Sequence, residues 1–176
     1  SYSKNKIIYM DEVSPNYPWM AQTGRSTGLN YGYLFDRFLA VDDFDAEGNL
    51  KVDAKGNSLL PAMSLANPKP GDVLFKDLNG DGKINGDDKT YFGYSDRPDY
   101  VFGLLGGIRW KGFEISMQWT AGLHASRVLS GEYREPFGST NSRALLKFLA
   151  NDSWTPNHTN ARFPRMTVSY THLRAH

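Results

Sequence analysis

The 176-residue chain carries 20 basic and 19 acidic side chains, with a sequence pI near 7.9. No Lys/Arg cluster lays down a phosphate track, so nothing draws the chain toward nucleic acid. It has no cysteine, which excludes a disulfide framework and thiolate chemistry, while 14% aromatic residues and 17 glycines suit β structure with long loops.

The first residues, Ser1-Tyr2-Ser3-Lys4-Asn5-Lys6, contain neither an initiator Met nor the apolar h-region of a signal peptide. They read as the start of an internal piece of a longer protein. Ile7, Ile8 and Tyr9 suggest a short strand within residues 1 to about 10. Residues 11–97 are polar and punctuated by Gly, Pro and Asn, and read as one long connection. Within it, Gly24-Arg25-Ser26-Thr27-Gly28 lacks the Gly-Lys-Ser/Thr ending of a phosphate loop.

The strongest chemical motif in this connection runs from Asp77 to Asp88 and fits D-x-N-x-D-G-x-I-x-x-x-D. Calcium takes six to eight oxygen ligands. The spacing offers side chains at loop positions 1, 3 and 5 (Asp77, Asn79 and Asp81), with Gly82 for the sharp turn. The Lys83 carbonyl stands at position 7, Ile84 would pack the loop down, and Asp88 stands at position 12. A sensor EF-hand has a bidentate Glu at position 12, and clear amphipathic helices do not flank this loop. The pattern is closer to dockerin-type loops. Five groups are therefore candidate Ca²⁺ ligands: Asp77, Asn79, Asp81, the Lys83 carbonyl and Asp88. The same residues also fit a solvated acidic turn with no metal.

Residues 98–122 read as a β-hairpin. In Phe113-Glu114-Ile115-Ser116-Met117-Gln118-Trp119-Thr120 the odd-numbered residues are apolar and the even-numbered ones polar, the period of a two-faced strand. The preceding arm sends Phe102, Leu104, Ile108 and Trp110 to one side, and Val101, Gly103, Leu105, Gly107 and Arg109 to the other. Only Lys111-Gly112 separates the arms, a two-residue turn with Gly where positive φ is needed. Gly103, Gly106 and Gly107 inside a strand suggest close backbone approach. Each arm is about the length a tilted strand needs to cross roughly 30 Å of hydrocarbon. Trp110 and Phe113 beside the turn match an aromatic girdle. Alternation alone fits a soluble sheet equally well. The layout separates the two readings: a two-residue turn at one end and long connections at the other is unusual in compact soluble domains. It is ordinary in membrane barrels, where it needs no long apolar run.

Residues 123–167 read as a second long connection. Arg143-Ala144-Leu145-Leu146-Lys147-Phe148-Leu149-Ala150 holds helix formers, Asn141 or Ser142 could cap them, and Trp154-Thr155-Pro156 ends the helix at the latest. His124 and His158 are isolated, carboxylates are scattered and no Ser/His/Asp set stands out, so an enzyme is not expected. Residues 168–176, Val-Ser-Tyr-Thr-His-Leu-Arg-Ala-His, resemble a translated transposase sequencing adapter and are expected to be a non-native tail. The His172/His176 spacing is accordingly not taken as a metal pair.

Several motifs together resemble the C-terminal barrel region of SusC/RagA-type TonB-dependent receptors. These are Asn5-Lys6-Ile7-Ile8-Tyr9-Met10-Asp11-Glu12, Gly32-Tyr33 with Phe38, and Pro70-Gly71-Asp72-Val73-Leu74-Phe75-Lys76-Asp77 running into the acidic loop. Phe92-Gly93, Trp110-Lys111-Gly112-Phe113-Glu114, Trp154-Thr155-Pro156-Asn157 and Asn160-Ala161-Arg162-Phe163-Pro164-Arg165-Met166 complete the set. The resemblance covers residues 2–167. It implies an all-β, antiparallel fragment of a 22-strand outer-membrane β-barrel, with long loops and a short helix. Residues 1–167 would be a partial barrel domain, with 11–97 and 123–167 extracellular and 98–122 transmembrane. It further implies TonB-driven import of glycan or peptide nutrients across the outer membrane of a Gram-negative, Bacteroidetes-like bacterium. Its implied partners are a SusD-like surface lipoprotein, outer-membrane lipid, and the TonB complex acting through a plug region that this chain does not contain. A secreted soluble carbohydrate-binding module with a structural calcium loop is the competing expectation.

Overall fold

The computed structural model describes residues 1–63, 67–129 and 145–166. Its regular elements are β1 (Asn30–Tyr33), β2 (Phe35–Phe38), β3 (Val73–Phe75), β4 (Lys89–Phe92), β5 (Tyr100–Trp110), β6 (Phe113–Leu123) and α1 (Lys147–Asn151). Three two-stranded sheets form, β1 with β4, β2 with β3, and β5 with β6. The described part is thus all-β with one short helix. The contacts divide the chain into two compact units: Ser1–Tyr31 with Tyr91–Val128, and Gly32–Thr90 with Leu129–His176.

The first unit is built on the long β5–β6 hairpin. Its N-terminal stretch differs from expectation. Ile8 and Tyr9 are more than four-fifths exposed and belong to no strand. Ile7 trades backbone hydrogen bonds with Gly24 and Arg25 (2.9 and 2.8 Å) in place of a ladder. The Arg25 guanidinium donates to the Ala21, Trp19 and Tyr91 carbonyls, so this arginine ties the loop backbone together. The strand-like contact lies earlier, where Tyr2 bridges Tyr100.

In the second unit, the stretch read as a structureless connection has a small core of its own. Leu39, Phe44 and Leu74 are buried, with Leu50, Leu60 and Met63 packed against them. β2 meets β3 antiparallel, with a register shift between Phe35 and Arg37. Two tight turns of like sequence, Asp45-Ala46-Glu47-Gly48-Asn49 and Asp53-Ala54-Lys55-Gly56-Asn57, follow one plan. In each, the aspartate Oδ1 accepts from the amides two and four residues on, and the glycine has positive φ. Asx turns of this kind satisfy loop amides without a ladder.

Arg37 clamps Asp43 bidentately at 2.5 and 2.9 Å, and Asp43 also accepts from the Ala40 amide at 2.7 Å. The Arg37 hydrogen bonds hold the Asp43 carboxyl below its ordinary range, against the opposing effect of burial. A depressed carboxylate stabilises the fold above its unfolded pKa, near 4, and loses that contribution as pH falls through the folded value. Amide protection at Phe44 is therefore expected to hold from pH 7 to about 4 and to drop below it. Asp43→Asn should remove this acid step. An unchanged step in the variant would assign it to another group.

The helix is shorter than expected. Leu146 is extended (φ −75°, ψ 135°), so α1 begins at Lys147 without a side-chain cap and closes after Asn151. The anticipated caps Asn141 and Ser142, and the tail 168–176, lie outside the described residues.

Candidate functional site: a two-faced hairpin and an acidic loop

β5 and β6 are eleven residues each and pair without a slip from Tyr100↔Leu123 to Trp110↔Phe113. Directly opposed residues of an antiparallel pair share a face. One face is therefore Phe102/Ala121, Leu104/Trp119, Gly106/Met117, Ile108/Ile115 and Trp110/Phe113. The other is Val101/Gly122, Gly103/Thr120, Leu105/Gln118, Gly107/Ser116 and Arg109/Glu114. The sidedness read from β6 thus extends across both strands. Lys111 and Gly112 both have positive φ (43° and 86°), the requirement of a type I′ turn, which is why only two residues suffice. Arg109 Nη2 and Glu114 Oε2 form an ion pair at 2.8 Å on the polar face beside the turn. The close backbone approach expected at Gly103, Gly106 and Gly107 is absent: a Cβ would stand 4.0 Å from the Trp119 carbonyl at Gly103 and 3.5 Å from the Ile115 carbonyl at Gly107, ordinary contact distances, and would meet nothing within 4 Å at Gly106.

The apolar face is bare. Phe102, Leu104, Ile108, Trp110, Phe113, Ile115, Met117 and Trp119 are 53–73% exposed. Aromatic rings gather at both of its ends. At the turn, Lys111 Nζ sits 4.9 Å from the Trp110 ring centre. At the open end, Tyr94 stacks on His124 at 4.5 Å, His124 meets Tyr100 edge-on at 5.0 Å, and Tyr100 packs on Tyr2 at 4.7 Å. His124 Nδ1 also lies 3.6 Å from Asp99 Oδ2. This second ring cluster escaped sequence reasoning, because its members come from four separate segments. From Tyr100 to Trp110 the strand rises about 33 Å, and a tilt of about 40° reduces that to about 25 Å, the height of a barrel's apolar band.

The acidic loop closes on itself. Asp77 accepts from the Gly80 and Gly82 amides at 2.6 and 2.7 Å. Asn79 Oδ1 accepts from the Asp81 amide, and Asp81 Oδ1 from the Lys83 amide. Asp88 is fully buried and accepts from the Leu78 and Asn85 amides, both at 2.8 Å, pinning the two ends of the loop. Its charge raises the Tyr33 phenol, whose shift comes first from burial. Ile84 is buried, the packing role the motif suggests. Gly80 and Gly82 both take positive φ. Among the described residues no group of three His, Asp or Glu side chains is drawn together as for a metal ion. The five candidate ligands do lie along one folded loop, whose Asp77, Asp81 and Asp88 carboxylates already accept loop amides.

Sequence reasoning also missed a junction in the second unit. Gly71 (φ 87°) lies beneath Trp154, and a Cβ there would come 2.3 Å from Trp154 Cε3. The Gly71 carbonyl accepts from the Arg165 amide at 3.0 Å. Arg165 Nε meets the buried Asp72 carboxylate at 2.6 Å. Pro70-Gly71-Asp72 and the Trp154 to Arg165 stretch, quoted above as separate motifs, are thus one packed piece. His158 Nε2 of this stretch lies 3.3 Å from Asp152 Oδ1, just ahead of it.

No family model matches the chain. It is similar to TonB-dependent receptor P3 of Formosa agariphila, 31% identical over 181 residues. The alignment takes in 96% of this chain and 16% of that receptor, so the chain spans less than a fifth of the relative it matches. The likeness is to one portion of a TonB-dependent receptor, a class of outer-membrane protein.

Proposed function

We propose that the chain is a barrel segment of a SusC/RagA-type TonB-dependent receptor that imports glycan or peptide nutrients with a SusD-like surface lipoprotein. In this reading β5 and β6 are two strands of a 22-strand barrel. Residues 11–97 and 123–167 lie outside the cell, and Lys111-Gly112 faces the periplasm. The observation that carries it is the unbroken eleven-residue register, with a bare apolar face against one that is mostly small and polar apart from Val101 and Leu105. In water that face would be a large exposed patch. In a bilayer it is the face the solvent asks for, and Gly103, Gly107, Ser116, Gln118 and Thr120 turn toward the lumen. A soluble carbohydrate-binding module would need the same side chains covered by its own core.

Topology tests the proposal. An epitope inserted between Lys111 and Gly112 of the full-length receptor should be hidden from antibody on intact cells and reached only after the outer membrane is opened. An insertion at Ala54-Lys55 should be reached on intact cells. The reverse pattern would overturn the proposed orientation, and a receptor absent from the outer-membrane fraction would overturn the assignment.

The same reading includes one Ca²⁺ on Asp77, Asn79, Asp81, the Lys83 carbonyl and Asp88, with a structural role in ordering the outer loop. The alternating oxygen ligands and the two positive-φ glycines support it. The side chains already accept loop amides, so the ion adds to a loop that is partly organised. Affinity should be modest, about 10⁻⁴ to 10⁻³ M, as in extracellular calcium modules. Calorimetry on the intact receptor should show heat at millimolar Ca²⁺ that Asp81→Ala abolishes. No heat, or equal binding by the variant, would leave an acidic turn of the kind seen twice between Asp45 and Asn57.

A further inference from the structure

We infer that the acidic loop holds a site of spontaneous covalent modification: Asn85 deamidates through attack by the Gly86 backbone nitrogen, while Asn79, in the loop's other Asn-Gly pair, is held unreactive. Both pairs, Asn79-Gly80 and Asn85-Gly86, lie between Asp77 and Asp88. Their intrinsic chemistry is alike, because a glycine after asparagine carries no Cβ to hinder the attacking nitrogen. The fold separates them. The Gly80 amide donates to Asp77 Oδ1 at 2.6 Å, so the nitrogen that would attack Asn79 is tied to a carboxylate. The Gly82 amide donates to Asp77 Oδ2 at 2.7 Å, so the same side chain also guards Asp81-Gly82, the loop's third pair able to close a succinimide ring.

Asn85 has no such guard. Gly86 opens a single-turn 3₁₀ helix, Gly86–Asp88, where the first amide has no partner within the helix. Among the described residues no acceptor outside the helix takes it either. Gly86 is exposed, and nothing lies within 4 Å of where a Cβ would stand. Asn85 has ψ of −167°, turned past the flat strand value toward the rotation that brings its Cβ over the Gly86 nitrogen. Asn85 Oδ1 accepts the Asp87 amide at 2.7 Å, a donor aimed at the oxygen on which charge develops when Cγ is attacked. Asn85 Nδ2, the leaving nitrogen, faces Asp81 Oδ2 at 3.5 Å. In the step, a bond forms from Gly86 N to Asn85 Cγ and the Cγ–Nδ2 bond breaks. The Gly86 proton departs with that nitrogen as ammonia, leaving a succinimide. Water then opens either ring carbonyl, giving aspartate or isoaspartate. The product sets a carboxylate where an amide had faced Asp81, and like charges so close repel. Isoaspartate also adds a main-chain carbon after position 85, whose amide Asp88 holds at 2.8 Å. The modification therefore loosens the loop, and the inference rests on neither the barrel reading nor the calcium reading.

Trypsin separates the two asparagines, since cleavage after Lys76, Lys83 and Lys89 yields peptides 77–83 and 84–89. The folded full-length protein is incubated at mildly alkaline pH and digested, and both peptides are scored by mass spectrometry for aspartate and isoaspartate. Peptide 84–89 should convert with time, while Asn79 in peptide 77–83 should persist. In denaturant both should convert alike, which gives the intrinsic rates. Gly86→Ala, at a position with room for a methyl and without left-handed φ, should keep the fold and lose conversion at Asn85. Equal conversion of the two peptides in the folded protein, faster conversion at Asn79, or an inert Asn85 where the denatured chain reacts would overturn the inference. So would conversion at the wild-type rate in Gly86→Ala.

Discussion

On the proposed barrel reading, Met117→Arg is expected to destabilise the full-length protein, refolded into lipid, by roughly 2 to 4 kcal/mol, while Gln118→Arg costs far less. Met117 lies opposite Gly106, six rungs from the Tyr100 end of the ladder and four from the Trp110 end, so it sits close to the midplane of the proposed span. An arginine there must lose its hydration or drag water and headgroups inward, and Gly106 opposite offers no partner. Gln118 stands on the other face beside Leu105, where an added guanidinium would enter the lumen. The contrast between neighbours is the informative quantity, since both substitutions share the same strand and propensity cost. Equal penalties at the two positions would remove the distinction between faces.

Gly71→Ala should be the most damaging single-methyl change in the second unit, at roughly 2 to 5 kcal/mol. Two costs add. Gly71 has φ of 87°, a region that costs an L side chain about 1 to 2 kcal/mol. The new methyl would also fall 2.3 Å from Trp154 Cε3 and 2.8 Å from Arg165 Cβ, and relieving that overlap costs a further 1 to 3 kcal/mol. Gly80→Ala separates the two. Gly80 shares a positive φ of 73° but nothing lies within 4 Å of its Cβ position, so only the smaller cost applies. Hydrogen exchange at the Trp154 and Arg165 amides should accelerate by roughly 30-fold or more in Gly71→Ala. Equal effects of the two alanines would show that backbone strain alone matters.

The hairpin was readable because its information is local. Strict alternation from Phe113 to Thr120 sets the faces, and a two-residue turn leaves one register available, so Leu104 must meet Trp119. The packing of the long connections was not readable for the opposite reason. β2 and β3 are four and three residues long, too short to show a period, and some 35 positions separate them. The Gly71–Trp154 contact joins residues more than 80 apart, and the ring cluster at Tyr100 draws on Tyr2, Tyr94 and His124. Nothing in a local window marks such partners. The acidic loop lies between these cases. Its oxygen pattern was visible, but not that Asp88 would be buried across the Leu78 and Asn85 amides, a role any closed loop of this shape needs with or without an ion.

The claim that one face of this hairpin meets lipid is tested most directly by spin labels placed singly from Phe113 to Thr120 in the bilayer-embedded receptor. Collisions with oxygen, which concentrates in hydrocarbon, should peak at 113, 115, 117 and 119. Collisions with a water-soluble nickel chelate should peak at 114, 116, 118 and 120. Two period-two profiles in opposite phase are the predicted result, whereas profiles that rise and fall together, or that show no period of two, would contradict it.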